Sequence, residues 1–259
     1  MQDHLAITYI QHNIIWKDRE ANLDVYNQFL SSLSFTPDLI LLPETFNTGF
    51  CIDDIEIAET MDGPSVEWMK SKSAELGSVM GGSIFLKDGE KYVNRFLWVE
   101  PDGKIDFYDK RHLFSMGREH ELFTPGNVRK IVQLNGWKLC LNICYDLRFP
   151  VWSRNDLGYD VLIYIANWPT PRSNAWRDLL KARAIENMSY CVGVNRVGPD
   201  GYGHDHQGDS AFISPTGHVI YSSMDSCEIA KYEMSATTLL ETRSKLPFLN
   251  DMDEFQIQV

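Results

Sequence analysis

The chain has 259 residues, of which 44% are hydrophobic, so it can bury a substantial core, and we assign residues 1–259 to a single domain. Its net charge of −12 at pH 7 argues against nucleic acid and anionic membranes as partners. No stretch offers the ~18 consecutive apolar residues of a membrane span, and residues 1–4 lack the features of a signal peptide. The five cysteines, an odd number, fit reduced thiols, so we expect a cytoplasmic protein.

The apolar pattern of the first half of the chain predicts alternating strands and helices followed by a hairpin. Strict alternation indicates a strand, spacing of three and four residues indicates a helix, and a continuous apolar run indicates a strand covered on both faces. The predicted strands are 5–10, 39–42 and 81–86, the helices are 18–33 and 64–76, and the hairpin joins 91–99 to 105–108 through Asp102 and Gly103.

The second half of the chain predicts further strands, one long helix and a second hairpin. Trp176, Leu180, Ala184 and Met188 form a stripe that predicts a helix over residues 173–190, with Ser173 as its N-cap. Strands are expected at 131–134, 139–143, 161–166, 191–197 and 227–234, with a hairpin of 211–213 and 218–221, before an irregular C-terminal tail. These elements predict a layered α/β sandwich with mixed sheets.

Residues 139–150 contain the residue around which the predicted site is built. An apolar run ends at Cys144, polar residues follow at once, and the pattern predicts a buried strand, a sharp turn and a helix beginning near Pro150. A cysteine at the carboxyl end of a strand can act as a nucleophile, with the backbone N–H of Tyr145 facing the developing oxyanion. A buried structural cysteine is the alternative interpretation.

Two further charged residues follow predicted strands. Glu44 comes after residues 39–42, and Lys110 lies just past residues 105–108. Because ligands gather at the carboxyl ends of strands in α/β sheets, Glu44, Lys110 and Cys144 can meet in one pocket. There a glutamate can take the thiol proton, and a lysine ammonium can stabilise negative charge on an attacked carbonyl. Taken singly, Glu44 is more typical of a surface or ion-paired residue, and Lys110, between Asp109 and Arg111, of a solvated charge.

Three other patterns carry less weight. Cys140 and Cys144 would lie ~13 Å apart on one face of a strand, which is too far for a disulfide. The histidines and aspartates of residues 204–209 match no metal-ligand spacing, so we expect a polar surface loop and no metal. Residues 198–208 lack the order of strand, glycine-rich loop and helix that a nucleotide cradle needs.

Three blocks occur in a fixed order along the chain: residues 42–50 (LPETFNTGF), 108–114 (YDKRHLF) and 142–150 (NICYDLRFP). They resemble the glutamate, lysine and cysteine blocks of the nitrilase, or carbon–nitrogen hydrolase, superfamily, and the resemblance covers nearly the whole chain. It implies a catalytic triad of Glu44, Lys110 and Cys144 on a four-layer α-β-β-α sandwich with mixed sheets. It also implies a homodimer or larger assembly, and the chemistry requires no metal or organic cofactor.

The resemblance further implies a second glutamate on the loop between the lysine and the cysteine. Glu119 is the better match in residues 118–126, and Glu121 is the alternative. This glutamate would help to position the water that completes hydrolysis.

Within the superfamily, residues 166–176 (ANWPTPRSNAW) and 181–187 (KARAIEN) look most like the bacterial ω-amidase branch. The likeness implies a small-molecule substrate: an α-keto acid monoamide such as 2-oxoglutaramate or 2-oxosuccinamate, hydrolysed to the dicarboxylate and ammonia through a cysteine thioester. The alternatives are another hydrolase of the superfamily (an aliphatic amidase, a carbamoylase or a nitrilase) and a catalytically silent binding protein of the same fold.

An anionic substrate needs a local cation, because the chain as a whole is negative. Arg172 lies past a predicted strand end, beside a helix start, where a guanidinium can bind a carboxylate through two hydrogen bonds. Arg148 is the alternative, although its spacing from Asp146 favours an internal ion pair. The side chains expected to wall the methylene chain of the substrate are Phe46, Tyr145 and Trp168.

Overall fold

Two β-sheets lie face to face in the computed structural model, which describes residues 1–258. The strands are β1 (His4–Gln11), β2 (Leu39–Leu41), β3 (Val79–Asp88), β4 (Lys91–Val99), β5 (Ile105–Asp109), β6 (Lys130–Leu134), β7 (Trp137–Ile143), β8 (Val161–Ile165), β9 (Tyr190–Val194), β10 (Val197–Pro199), β11 (Asp205–Ile213), β12 (Val219–Met224) and β13 (Glu228–Ser235). The helices are α1 (Arg19–Ser31), α2 (Pro64–Leu76), α3 (Glu119–Leu122), α4 (Ser173–Asn187) and α5 (Ala236–Lys245).

Both sheets are mixed, with parallel strands at the centre and antiparallel strands at the edges. The first sheet has the order β13-β1-β2-β3-β4-β5, in which β1, β2 and β3 run parallel. The second has the order β10-β11-β9-β8-β7-β6, with β12 beside β11, and β7, β8 and β9 run parallel. Ile143 at the end of β7 pairs with Ile165 of β8. The register therefore brings the residues that follow these two strands side by side.

Alternation along the strands produces three layers of packing. Leu5, Ile7 and Tyr9 of β1 face the second sheet, where Leu139 and Leu141 of β7 meet them in the central core. The outward side chains of the first sheet pack against α1 and α2, and those of the second sheet pack against α4. The predicted four-layer α-β-β-α sandwich is confirmed, and the α/β class with mixed sheets is confirmed with it.

The helices follow local signals in the sequence. The Asp18 side chain caps α1 by accepting the backbone N–H of Ala21, and α2 begins at Pro64 and ends before Gly77, whose φ is +64°. The stripe predicted for α4 is buried, but Ser173 is the first helical residue, Arg172 occupies the cap position, and no side chain caps the helix. The predicted role of Ser173 as the cap is therefore wrong. Within residues 1–258, no helix is long and apolar enough to cross a membrane.

The segment after β7 also differs from the prediction. A 3-10 helix spans Cys144–Arg148 and begins at the strand end itself, whereas residues 150–153 form turns. The Asp146 side chain accepts the backbone N–H of Ile143 at 3.0 Å. This hydrogen bond holds residues 143–146 in a tight turn that contains Cys144. The helix expected near Pro150 is therefore replaced by a helical turn that starts six residues earlier.

The C-terminal tail was expected to be irregular, but α5 forms there. Ser235 caps this helix by accepting the backbone N–H of Thr238. Ala236 and Leu239 are buried in the core between the sheets. This burial stabilises a short helix whose threonines are weak helix formers.

Candidate active site

A cavity of about 860 Å³ opens where β7 and β8 end. Cys144 follows β7 directly, and Asn167 lies two residues past the end of β8; both line this cavity. Lys110, the residue after β5, lines it as well. The carboxyl ends of strands from both sheets thus contribute to one opening, as is common in α/β proteins.

Cys144 occupies a strained turn between the strand and the 3-10 helix. Its φ is +45°, a conformation that residues other than glycine adopt at a cost. Its side chain is half-buried, and the Glu44 carboxylate is near enough to raise the pKa of the thiol. Because Tyr145 lies in the first turn of the helix, its backbone N–H has no intrahelical acceptor and can serve an oxyanion.

Glu44 is fully buried and held by three donors from three parts of the chain. Its Oε1 accepts Lys110 Nζ at 2.8 Å and Asn94 Nδ2 at 2.9 Å, and its Oε2 accepts the backbone N–H of Asn167 at 2.8 Å. The following residue, Thr45, has φ of +44°. The carboxylate therefore has a fixed orientation beside the thiol.

Lys110 lies between two carboxylates. Its Nζ is 2.8 Å from Glu44 Oε1 and 3.0 Å from Glu119 Oε2, and none of the three side chains is exposed to solvent. Glu119 Oε2 also accepts the backbone N–H of Phe114 at 2.6 Å. By contrast, Glu121 is exposed and pairs with Arg118. Of the two alternatives for the second glutamate, Glu119 is the one beside Lys110.

Burial and charge shift the pKa values of this cluster. Burial opposes the positive charge of Lys110, but the carboxylates of Glu119 and Glu44 outweigh it and raise its pKa. Burial raises the pKa of Glu119, and Glu44 adds to the shift against the opposing charge of Lys110. Burial and the Glu44 carboxylate raise the pKa of the Cys144 thiol well above its ordinary value, although Lys110 opposes them. The resting site therefore holds a thiol, a charged lysine and a base within reach of the thiol proton.

Three of the four predicted substrate-binding residues line the cavity: Tyr145, Trp168 and Arg172. Phe46 does not. It is fully buried, and its ring packs against Tyr26 and Trp68 in the core between the first sheet and its helices. The turn at Thr45 directs Phe46 away from the cavity, and Phe50 is the aromatic residue of this loop that lines it.

The predicted ion pair between Asp146 and Arg148 is also wrong. Asp146 is fully buried and accepts hydrogen bonds from the Tyr108 hydroxyl at 2.7 Å and from the His112 backbone N–H at 2.9 Å. Arg148 is exposed and lies over the ring of Trp168, with its guanidinium carbon 4.9 Å from the ring centre. Arg148 lines the catalytic cavity instead of closing the turn.

Asn94 was not predicted from the sequence as a site residue, and it donates from Nδ2 to Glu44 and, at 3.4 Å, to Glu119 Oε1. Tyr108 was not predicted either, and its hydroxyl links Asp146 to the strand that precedes Lys110. An uncharged polar residue between Val93 and Arg95 of a predicted strand is the sequence signal that could have revealed Asn94, whose side chain is fully buried.

A metal site is not apparent in the described part of the chain. No group of three or more histidine, cysteine, aspartate or glutamate side chains within residues 1–258 could hold a metal ion. His204 and His206 line the cavity, and His206 Nδ1 lies 3.2 Å from the carbonyl oxygen of Gly198. Cys140 and Cys144 are free thiols.

Comparison with known proteins gives consistent results. A family model described as carbon-nitrogen hydrolase matches residues 6–239. The omega-amidase YafV of Escherichia coli (strain K12) is 44% identical over 255 residues, which cover 98% of each chain. The 2-oxoglutaramate amidase of Bacillus subtilis (strain 168) is 30% identical over 254 residues, covering 95% of this chain and 97% of that one.

Solved structures extend the comparison. A CN-hydrolase superfamily protein of Xanthomonas campestris, whose crystal structure holds an arsenic adduct in the active site, has a TM-score of 0.97. It is 40% identical and covers 100% of both chains. An amidase from Nesterenkonia sp. is 22% identical with a TM-score of 0.82, covering 97% of this chain and 98% of that one, and supports the fold alone.

Proposed function

Because the chain belongs to the carbon–nitrogen hydrolase family, we propose that it is an ω-amidase in which Cys144 attacks the amide carbon of an α-keto acid monoamide. It hydrolyses substrates such as 2-oxoglutaramate and 2-oxosuccinamate to the dicarboxylate and ammonia. The observation that carries the proposal is the position of Lys110 Nζ, 2.8 Å from Glu44 and 3.0 Å from Glu119, in a cavity that also exposes Cys144.

In the first half of the reaction, Glu44 accepts the Cys144 proton as the sulfur attacks. Coupling the two events matters because burial keeps the pKa of the thiol high, so little thiolate exists before substrate arrives. Lys110 and the backbone N–H of Tyr145 stabilise the oxyanion of the tetrahedral intermediate. Glu44 then returns the proton to the leaving ammonia, and a thioester on Cys144 remains.

In the second half, water hydrolyses the thioester. Glu44 takes a proton from the water as the water attacks the thioester carbon. Glu44 then gives this proton to the Cys144 sulfur as the carboxylic acid is released. Glu119 contributes by fixing Lys110 and the loop at Phe114, which together define the space where the water must lie. Each of these roles is carried by residues of the chain itself, and no step calls for a metal or an organic cofactor.

The substrate is oriented by the cavity wall. In this proposal the Arg172 guanidinium binds the free carboxylate, and Tyr145 and Trp168 flank the methylene chain. Support comes from the position of Arg172 in the cavity, where its guanidinium carbon lies 5.2 Å from the centre of the Phe114 ring. A guanidinium over an aromatic face keeps its outer N–H groups available for a carboxylate.

The test is ammonia release from a panel of purified substrates: 2-oxoglutaramate, a neutral short amide, an N-carbamoyl compound and a short nitrile. We expect the keto acid monoamide to have the highest kcat/KM, and intact-mass spectrometry to detect a thioester when deacylation is slowed. Equal turnover of the nitrile or the carbamoyl compound would contradict the amidase assignment. A complete lack of turnover, with ordinary thiol reactivity, would favour a silent binding protein.

The proposal extends to the state of the protein in the cell: a cytoplasmic homodimer whose single catalytic domain is formed by residues 1–259. Free thiols support a reducing compartment, and a core that joins both sheets supports one domain. The homodimer is implied by the family resemblance. Size-exclusion chromatography with light scattering tests it, and a mass equal to one chain at micromolar concentration would contradict it.

A further inference from the structure

Two arginines face the catalytic cavity without an acidic partner. Arg148 lies over the ring of Trp168, and Arg172 lies over the ring of Phe114. Within the described residues, no carboxylate lies within ion-pair distance of either guanidinium, whereas Arg118 at the same cavity pairs with Glu121 at 2.7 Å. In a chain with a net charge of −12, two uncompensated cations in one cavity exceed what a single substrate carboxylate needs.

The two arginines are supported by the same side chain. Trp168 presents its ring face to Arg148, and its Nε1 donates to the carbonyl oxygen of Arg172 at 2.8 Å. Trp168 is buried, so it gives a fixed point of contact to the Arg148 guanidinium and to the backbone of Arg172. The three residues line the same cavity as Cys144.

The two arginines belong to different 3-10 helices at the cavity. Arg148 ends the 3-10 helix that begins with Cys144, and four residues at the usual rise of such a helix span ~8 Å. Arg172 ends a separate 3-10 helix, Thr170–Arg172, that follows β8. In a 2-oxo monoamide the oxo group lies nearer the amide carbon than the carboxylate does. The position of Arg148 on the helix that Cys144 begins favours Arg148 for the nearer group and leaves Arg172 for the farther one.

We propose that Arg148 recognises the 2-oxo group of the substrate, while Arg172 holds its carboxylate, and that Arg148 thereby selects α-keto acid monoamides over α-amino acid amides. This inference rests on the proposed ω-amidase function. A guanidinium donates to an oxo oxygen, but an α-ammonium group at the same place brings a like charge and only donors. Where two donors face each other in the bound complex, neither has a partner, and this penalises the wrong substrate.

Asp53 and Asp200 also line the cavity, and both carboxylates have partners within the chain. Asp53 accepts the Tyr202 hydroxyl at 2.6 Å and lies 3.6 Å from Lys17 Nζ. Asp200 accepts the backbone N–H groups of Tyr202 and His204. An ammonium group that bound these two carboxylates would therefore have to share them with donors of the chain.

The experiment compares Arg148→Met and Arg172→Met on four substrates: 2-oxoglutaramate, glutaramate (which lacks the oxo group), L-glutamine and butyramide. We expect Arg148→Met to lower kcat/KM for 2-oxoglutaramate roughly 10- to 150-fold, as for a lost charge-assisted hydrogen bond. It should change glutaramate and butyramide by less than about threefold, since neither offers the lost partner. Arg172→Met should lower kcat/KM for 2-oxoglutaramate and for glutaramate by a similar factor, and it should leave kcat/KM for butyramide unchanged.

Arg148→Lys and Arg177→Met complete the design. The lysine variant keeps the charge but loses the planar fork, so it should still exclude L-glutamine while binding 2-oxoglutaramate less well. Arg177 is exposed on α4 and serves as the matched control for removing an arginine. Melting temperatures equal to that of the wild type establish that the variants fold.

Several results would overturn the inference. Equal losses on 2-oxoglutaramate and glutaramate in Arg148→Met would mean that Arg148 binds the carboxylate, and no loss would mean that it touches neither group. If the wild-type enzyme has the same kcat/KM for glutaramate as for 2-oxoglutaramate, the enzyme does not recognise the oxo group. A wild type that hydrolyses none of the four amides would instead refute the ω-amidase function itself.

Discussion

Asp146 Oδ1 accepts the backbone N–H of His112 at 2.9 Å and lies 2.8 Å from Nδ1 of the same residue. Its other oxygen, Oδ2, accepts the Tyr108 hydroxyl and the backbone N–H of Ile143. One buried carboxylate therefore ties the loop that carries Lys110 to the turn that carries Cys144.

Asp146→Asn should impair catalysis without touching the substrate. The amide offers one acceptor where the carboxylate offers two, so at least one buried donor loses its partner, at a cost of about 1–3 kcal/mol in unfolding free energy. We expect kcat to fall roughly tenfold or more, with KM changed by less than about twofold, because positioning rather than binding is lost. Steady-state kinetics and urea unfolding measure both effects. Asp156→Asn, which removes a partner of Arg129 at the surface, is the control and should leave kcat unchanged.

Cys144→Ala should abolish turnover, whereas alanine at each of the other four cysteines should leave it intact. Burial raises the pKa of Cys51 to about 11 and that of Cys140 to about 12, and Cys191 is buried in the core. None of these thiols lines the catalytic cavity, and Cys227 is exposed elsewhere. Ammonia release from 2-oxoglutaramate measures the effect. An active Cys144→Ala enzyme would rule out the thioester mechanism.

Glu119→Gln and Glu121→Gln form a matched pair that separates the two candidate glutamates. Glu119→Gln removes a charge from buried Lys110, and losing such a charge-assisted contact, typically ~1.5–3 kcal/mol, predicts roughly a 10- to 150-fold fall in kcat. Glu121→Gln breaks only an exposed pair with Arg118, so kcat should stay within about twofold of wild type. Comparable losses in the two variants would contradict the assignment of Glu119.

His12 should make the protein less stable in mild acid. Burial, assisted by the charge of Arg196, lowers the pKa of His12 from 6.5 to about 4. Below pH 6.5 the unfolded chain binds a proton that the folded chain rejects, so stability is complete above pH 6.5 and is lost as the pH falls towards 4. Neither ring nitrogen has a partner within the described residues, and the ring contacts Tyr26 and Phe29 edge-on.

His12→Phe should remove this dependence. Relative to wild type, the variant should gain about 2 kcal/mol of unfolding free energy between pH 7.5 and pH 5, from the shift in pKa. Urea unfolding at both pH values gives the difference. His218→Gln at an exposed position should show no such gain, and a His12→Phe curve parallel to that of the wild type would show that His12 is not the group responsible.

The central part of the site was predictable because its residues follow strands. Apolar runs end at Glu44 and Cys144, and Lys110 comes directly after a hairpin strand, so sheet topology alone brings them to one edge. The stripe of α4 and both hairpins were predictable from periodicity for the same reason: the pattern is local.

The residues that were misassigned depend on backbone turns and on distant partners. Phe46 is two residues from Glu44, but the positive φ of Thr45 sends its side chain into the core. Asp146 has an arginine two residues away, yet its partner Tyr108 is 38 residues distant and buried. A partner that is fixed by tertiary packing cannot be predicted from local spacing in the sequence. Because Asp146 bonds to Tyr108, Arg148 has no ion pair with it and lines the cavity.

The high pKa of the Cys144 thiol bears on how the protein withstands oxidants. Peroxides react with thiolates far faster than with thiols, so a nucleophile kept protonated between turnovers resists conversion to sulfenic and sulfinic acids. In the proposed mechanism, the Glu44 carboxylate keeps the resting thiol protonated and accepts its proton when an amide carbon is in place. Under oxidative stress, such an enzyme would retain its activity longer than a cysteine hydrolase whose resting nucleophile is a thiolate.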